Sequence, residues 1–213
     1  TEIYTLSLHD VLPISKRRCD YAEYYKKCKV KNIVLYEAFA ARGMLCSPYA
    51  LFKEFMNRSD FDKYEHVWAI YDMEDNEYII NKYKNVSNVR FVEFNSNEYL
   101  KALAEAKYII NNSTFPGFVT KKDEQIYINT WHGIPLKTLG YDLPDANIAV
   151  ANTMRNFLSA DYLISPNKFH SDIYLKAYKL DGLYEGTIIE EGQPRSDMIY
   201  HADRDEVIDQ LKH

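Results

Sequence analysis

Seven short apolar runs, most of them alternating with helix-like stretches, constrain this 213-residue chain more than any other feature. They lie at 33–36, 67–71, 89–92, 108–110, 126–128, 162–164 and 187–190. Each is too short for a helix and is mostly apolar, Arg90, Thr187 and Glu190 being the polar exceptions, as strands of a largely buried sheet are. Between them come amphipathic faces: Leu51, Phe52, Phe55 and Met56; Tyr99, Leu100, Leu103 and Ala104; Val150, Met154, Phe157 and Leu158; and a stretch through Ile173 and Ala177. Ser47 and Pro48 stand in the favoured order for an N-cap and a first helical position. Ser96 is placed to open the second helix and Asp145 precedes the third. A final helix is predicted over 203–212. Strand–helix alternation of this kind predicts an α/β fold, a parallel sheet with helices on both faces.

In such a sheet the ligand crevice lies outside the carboxyl ends of the strands. Those ends carry the polar residues here: Glu37, Asp72, Asn111-Asn112-Ser113, Thr130-Trp131-His132, Ser165-Pro166-Asn167 and the segment 192–197. No internal repeat or low-complexity tract interrupts the pattern.

The net charge of −5 gives no basic stripe of the kind nucleic acid requires. The three cysteines, Cys19, Cys28 and Cys46, lack metal spacing and read as reduced thiols. No apolar run approaches the roughly 18 residues that span a bilayer. Residues 1–15 read as translated sequencing adaptor, with no signal-peptide logic. Residues 16–31 form a basic lead-in, seven Lys and Arg against Asp20 and Glu23. A solvated helix or linker explains it, and an anionic membrane surface is the competing reading.

His132 is the sharpest chemical candidate. A neutral imidazole can take a proton from an attacking hydroxyl, worth typically about 10²–10⁴-fold in rate. Trp131 precedes it, Gly133 permits close backbone approach and Pro135 stiffens the exit. A structural histidine under a loop is the alternative, and the strand-end position favours chemistry. Gly192-Gln193-Pro194-Arg195-Ser196-Asp197 offers a second loop. Arg195 presents a planar fork suited to phosphate oxygens, and Asp197 is placed to orient Arg195 or to cap a helix. Turn chemistry alone also explains that segment. Asn112 and Ser113 suit substrate hydroxyls, and Lys137 and Thr138 stand where they can meet an anion. Asp203 and Asp205 read as first-turn acids complementing a helix dipole, not as a metal pair. The remaining histidines have no metal-ligand spacing.

These motifs resemble the CDP-glycerol glycerophosphotransferase family, the teichoic acid primases and polymerases of Gram-positive bacteria. The resemblance covers residues 32–200. It rests on Tyr36-Glu37-Ala38-Phe39, Asn111-Asn112-Ser113-Thr114-Phe115-Pro116, Thr130-Trp131-His132-Gly133-Ile134-Pro135-Leu136-Lys137, Asp161-Tyr162-Leu163-Ile164-Ser165-Pro166-Asn167 and Glu191-Gly192-Gln193-Pro194-Arg195-Ser196-Asp197. Gln193, Ser196 and Ala38 depart from the commoner Tyr, Asn and Ser.

The resemblance implies a Rossmann-like first domain, over 32–200, of a two-domain GT-B-type fold. This domain would face the acceptor, and 201–213 would begin the crossing to a second domain. It implies attack of an acceptor hydroxyl on the β-phosphorus of CDP-glycerol with release of CMP. The acceptor would be a lipid-linked glycerol phosphate polymer at the inner face of the cell membrane, and the enzyme cytoplasmic and peripheral. His132 would be the general base. Trp131, Gly133, Asn112, Ser113, Gly192, Arg195 and Asp197 would bind substrate, with no cofactor and no obligatory metal. The alternatives are a binding module for a polyol phosphate and a GT-B glycosyltransferase using a nucleotide sugar.

Overall fold

The structure is a computed structural model that describes residues 8–145, 148–201 and 208. Its frame is a seven-stranded parallel sheet. The strands are β1 (Lys31–Glu37), β2 (Glu65–Ile70), β3 (Val89–Glu93), β4 (Ala106–Asn111), β5 (Ile126–Asn129), β6 (Tyr162–Ile164) and β7 (Thr187–Ile189), in the order β3-β2-β1-β4-β5-β6-β7. All seven apolar runs became strands. The order reverses between β1 and β4, whose last residues, Glu37 and Asn111, are register partners. That reversal is where open α/β sheets hold ligands.

Side chains alternate across the sheet. Ile33 and Leu35 of β1 join one core with Val67, Ile109, Tyr127 and Leu163. Val34 and Tyr36 join the other with Phe52, Trp68 and Ile110. The first face is covered by α4 (Asn97–Glu105), α5 (Ile148–Ser159) and α6 (Lys168–Ala177), through Tyr99 and Leu103, Phe157, and Tyr174. The second is covered by α2 (Cys46–Met56) and α3 (Glu77–Tyr83), through Phe52 and through Ile79, Ile80 and Tyr83. Burial on both faces is why the central strands β1 and β2 read as apolar runs, whereas the edge strands β3 and β7 are only partly buried and carry Arg90 and Thr187.

Helix α1 (Leu8–Lys27) crosses the expected boundary between residues 15 and 16. It packs on α4 and sinks Tyr21 into the core, where the phenol donates to the Thr120 carbonyl. Lys16, Arg17, Arg18, Lys26 and Lys27 stay exposed, as a solvated helix face would have them. No helix among the described residues is long and apolar enough to cross a membrane.

Two helix starts differ from expectation, and one agrees. Ser96 caps α4, accepting the Tyr99 amide at 3.1 Å. Ser47 does not cap α2: the helix begins at Cys46, with Leu45 at the cap and no side-chain bond there. The Ser47 hydroxyl is fully buried and lies 3.4 Å from both the Gln193 Oε1 and the Arg195 amide. It therefore serves a different helix, α7 (Pro194–His201). That helix starts within the segment read as a loop. The helix expected over 203–212, with Asp203 and Asp205, lies outside the described residues apart from Ile208. Helix α3 was not anticipated.

Candidate active site at the carboxyl ends of β1, β4 and β5

A buried amide network builds the floor of the site. The Tyr127 hydroxyl donates to Asn111 Oδ1 at 2.9 Å. Asn129 Nδ2 donates to the same oxygen at 3.0 Å and to the Ser113 carbonyl at 2.9 Å. Asn129 Oδ1 in turn accepts the Trp131 amide at 2.8 Å. This last bond closes an Asx turn on the residues just beyond β5. Trp131 takes a left-handed conformation, φ +48°, which a bulky residue adopts only when its surroundings insist. They do: the indole packs edge-on to Phe157, centroids 5.0 Å apart, and on Tyr178 at 6.3 Å. An anchored tryptophan followed by His132 presents the imidazole at the strand end.

His132 is half-buried between two rings. Its centroid is 4.3 Å from Trp131, nearly stacked, and 5.7 Å from Phe39. Arg195 Nη1 donates to the His132 main-chain carbonyl at 3.0 Å and lies 3.4 Å from Cys46 Sγ. Burial, and then the Arg195 charge, hold the imidazole below its ordinary pKa. It is therefore neutral and able to accept a proton near neutral pH.

Seven of the eight proposed site residues lie at this edge of the sheet, with qualifications. Asn112 Oδ1 accepts the Phe39 amide at 2.8 Å, so this side chain ties β4 to the loop after β1. Asn112 Nδ2 and Ser113 Oγ are buried and have no hydrogen-bond partner among the described residues. Gly192, at φ +98°, permits the turn into α7. Gly133 meets no protein atom within 4 Å of a built Cβ, so no close backbone contact within the chain explains it. Arg195 gives one nitrogen to the His132 loop instead of presenting the whole fork outward. Asp197 lies apart: it is exposed in the first turn of α7, and among the described residues no ion pair joins it to Arg195. A helix-dipole complement suffices for it there.

Sequence reasoning missed several contributors. Phe39, Cys46 and Ser47 come from the loop after β1 and the start of α2, some ninety residues before His132; no local signal connects them. Glu37 was visible as a polar strand end. It is buried and accepts the Tyr99 hydroxyl at 2.6 Å; burial raises its pKa to about 7, the Tyr99 bond opposing. Lys137 and Thr138 line a depression of about 340 Å³ with Phe169 and Lys176, beside the exit of the His132 loop. A larger hollow of about 770 Å³ lies at the amino end of β1, lined by Tyr25, Lys29 and Lys122, and is remote from this chemistry. No cluster of three or more metal-ligating side chains occurs among the described residues.

The sequence from residue 21 to 213 matches the model of the family described as CDP-Glycerol:Poly(glycerophosphate) glycerophosphotransferase. The chain belongs to this family. It is 30% identical over 189 residues to a teichoic acid poly(glycerol phosphate) polymerase of Bacillus spizizenii, a match covering 85% of this chain and 45% of that protein. It is 32% identical over 209 residues to the protein of that name from Staphylococcus epidermidis, covering 93% of this chain and 27% of the relative. A solved structure of the wall teichoic acid polymerase TagF soaked with CDPG superposes with a TM-score of 0.73 at 27% identity, over 94% of this chain and 50% of that one. The chain thus spans about half or less of the length of the glycerophosphotransferases it matches.

Proposed function

We propose that this chain forms the acceptor-side half of a glycerophosphotransferase, with residues 32–200 as its Rossmann-like domain. The reaction is transfer of glycerol phosphate from CDP-glycerol to a hydroxyl of a lipid-linked teichoic acid acceptor. The acceptor oxygen attacks the β-phosphorus, the bond from that phosphorus to the CMP oxygen breaks, and CMP leaves. His132 takes the hydroxyl proton as the new P–O bond forms. The observation that carries this reading is the position of His132: neutral, half-buried and held at the sheet's carboxyl edge beside the switch point.

Phosphoryl transfer asks mainly for positioning and charge stabilisation. Trp131 fixes the imidazole by packing, and Arg195 fixes it through the main chain. Asn112, Ser113 and Gly192 border the space where the substrate would lie. Cytoplasmic residence at the inner membrane face follows from the acceptor's lipid anchor, and the exposed basic residues of α1 suit anionic headgroups.

The test is donor selectivity in the intact protein that carries this chain. CMP release from CDP-glycerol, with UDP-sugars inert, supports the proposal. Turnover of UDP-sugars instead would assign a glycosyltransferase. Saturable binding of CDP-glycerol or glycerol phosphate without turnover would assign a binding module.

A further inference from the structure

Three consecutive non-glycine residues with left-handed backbone lie one residue beyond β1: Phe39 at φ +50°, Ala40 at +56° and Ala41 at +65°. Left-handed helical backbone is disfavoured for L-residues, which visit it singly. Such strain persists where the surroundings over-determine it, and it clusters at functional sites. Here the clamps are explicit. The Arg42 amide donates to the Ala38 carbonyl at 3.0 Å, closing one left-handed turn. The Tyr71 amide donates to the Ala41 carbonyl at 2.7 Å. Asn76 Nδ2 donates to the Arg42 carbonyl at 3.2 Å, and the Phe39 amide donates to Asn112 Oδ1 at 2.8 Å.

What the clamps leave over is informative. Among the described residues the amides of Ala40 and Ala41 have no acceptor. Ala41 is fully buried, and orphaned buried amides are rare. Asn112 is also fully buried, and its Nδ2 has no partner although its Oδ1 is fixed to the same turn. Three donors without acceptors thus lie in the two segments that the Phe39–Asn112 bond ties together. Glu37, the nearest carboxyl in sequence, is engaged by the Tyr99 hydroxyl.

The location strengthens the point. The turn leaves β1 and Asn112 leaves β4, the two strands between which the sheet order reverses. Phe39, the first residue of the turn, packs on the His132 ring. Ala40 is exposed and small, so a ligand approaching the turn meets little side chain. Successive main-chain amides of this kind form anion-binding concavities.

We propose that the 39–41 turn and the Asn112 carboxamide form an oxyanion subsite that takes a phosphoryl oxygen, through the amides of Ala40 and Ala41 and through Asn112 Nδ2. The identity of the ligand rests on the transfer reading above. Donors fixed before the ligand arrives need no reorganisation when negative charge builds on the phosphoryl oxygens, and this is where they are worth most.

The test follows the amide resonances of Ala40 and Ala41 in this chain as inorganic phosphate, glycerol 3-phosphate or CDP-glycerol is added. Saturable downfield shifts of these two amides support the subsite. Tighter binding of glycerol 3-phosphate assigns it to the acceptor phosphate, and tighter binding of CDP-glycerol to the donor. Asn112→Asp keeps the acceptor for Phe39 and replaces the free donor by an anion, so phosphate binding should weaken by about tenfold or more. Unmoved Ala40 and Ala41 amides in the unsubstituted chain, or equal phosphate affinity in a folded Asn112→Asp, would overturn the subsite. Saturable shifts in a protein that releases no CMP would sink the transfer reading and leave the subsite standing. Normal CMP release with unmoved amides would do the reverse.

Discussion

The guanidinium of Arg195 holds the main-chain carbonyl of His132, Nη1 to oxygen at 3.0 Å. One bond thereby couples the start of α7 to the loop after β5, across more than sixty residues of chain. It explains two properties of the imidazole together: where it sits, and why its pKa lies below the ordinary value through burial and then the neighbouring charge.

Arg195→Ala should therefore lower kcat by about a hundredfold through misplacement of the base. Loss of the positive charge should also raise the His132 pKa, so the acidic limb of the kcat/KM profile moves to higher pH. Arg195→Lys keeps a charge but loses the planar fork and should recover only part of kcat. A pH–rate series on the three proteins checks this. An unmoved acidic limb in Arg195→Ala would mean that the contact does not tune His132.

Two buried histidines outside the site should make folding acid-sensitive. Burial depresses the pKa of His66 and of His170 to about 4. His66 Nδ1 meets the Tyr36 hydroxyl at 2.8 Å, while its Nε2 and His170 Nδ1 have no partner among the described residues. The unfolded chain binds protons on these groups near pH 6.5 and the folded chain only near 4, so stability falls as pH drops between those values. Urea unfolding midpoints at pH 7.5, 6 and 5 should decline more steeply for the unsubstituted chain than for His66→Gln. Parallel declines would remove His66 from the account.

Glu37 works in the opposite sense. Its folded pKa, raised to about 7 by burial, exceeds that of an exposed glutamate. The folded state holds its proton longer, so this group stabilises below the unfolded pKa and loses that contribution as pH rises through 7. Glu37→Gln should gain stability relative to the unsubstituted chain between pH 5 and pH 8. The same unfolding series measures it, and a difference independent of pH would show that Glu37 is ionised throughout.

The fold was legible because burial in the sheet writes strands as short, mostly apolar runs, and all seven were found from residues such as Val34, Ile110 and Leu163. His132 was legible because a polar cluster at a strand end has few structural uses. The partners of His132 were not. Cys46 and Ser47 look like the start of a helix, and only tertiary packing shows that Ser47 faces α7 and that Arg195 reaches back to the His132 carbonyl. Asp197 was read from its neighbourhood in sequence, yet two positions along α7, about half a helical turn, carry it away from the guanidinium. The left-handed turn after β1 was invisible because alanine and phenylalanine do not announce positive φ as glycine does.

The most direct test is CMP release from CDP-glycerol as a function of pH, by the intact protein and by its His132→Ala variant. The account predicts a fall of about 10²-fold or more with loss of the acidic limb. Near-normal turnover with the limb unchanged would contradict it and assign the base elsewhere.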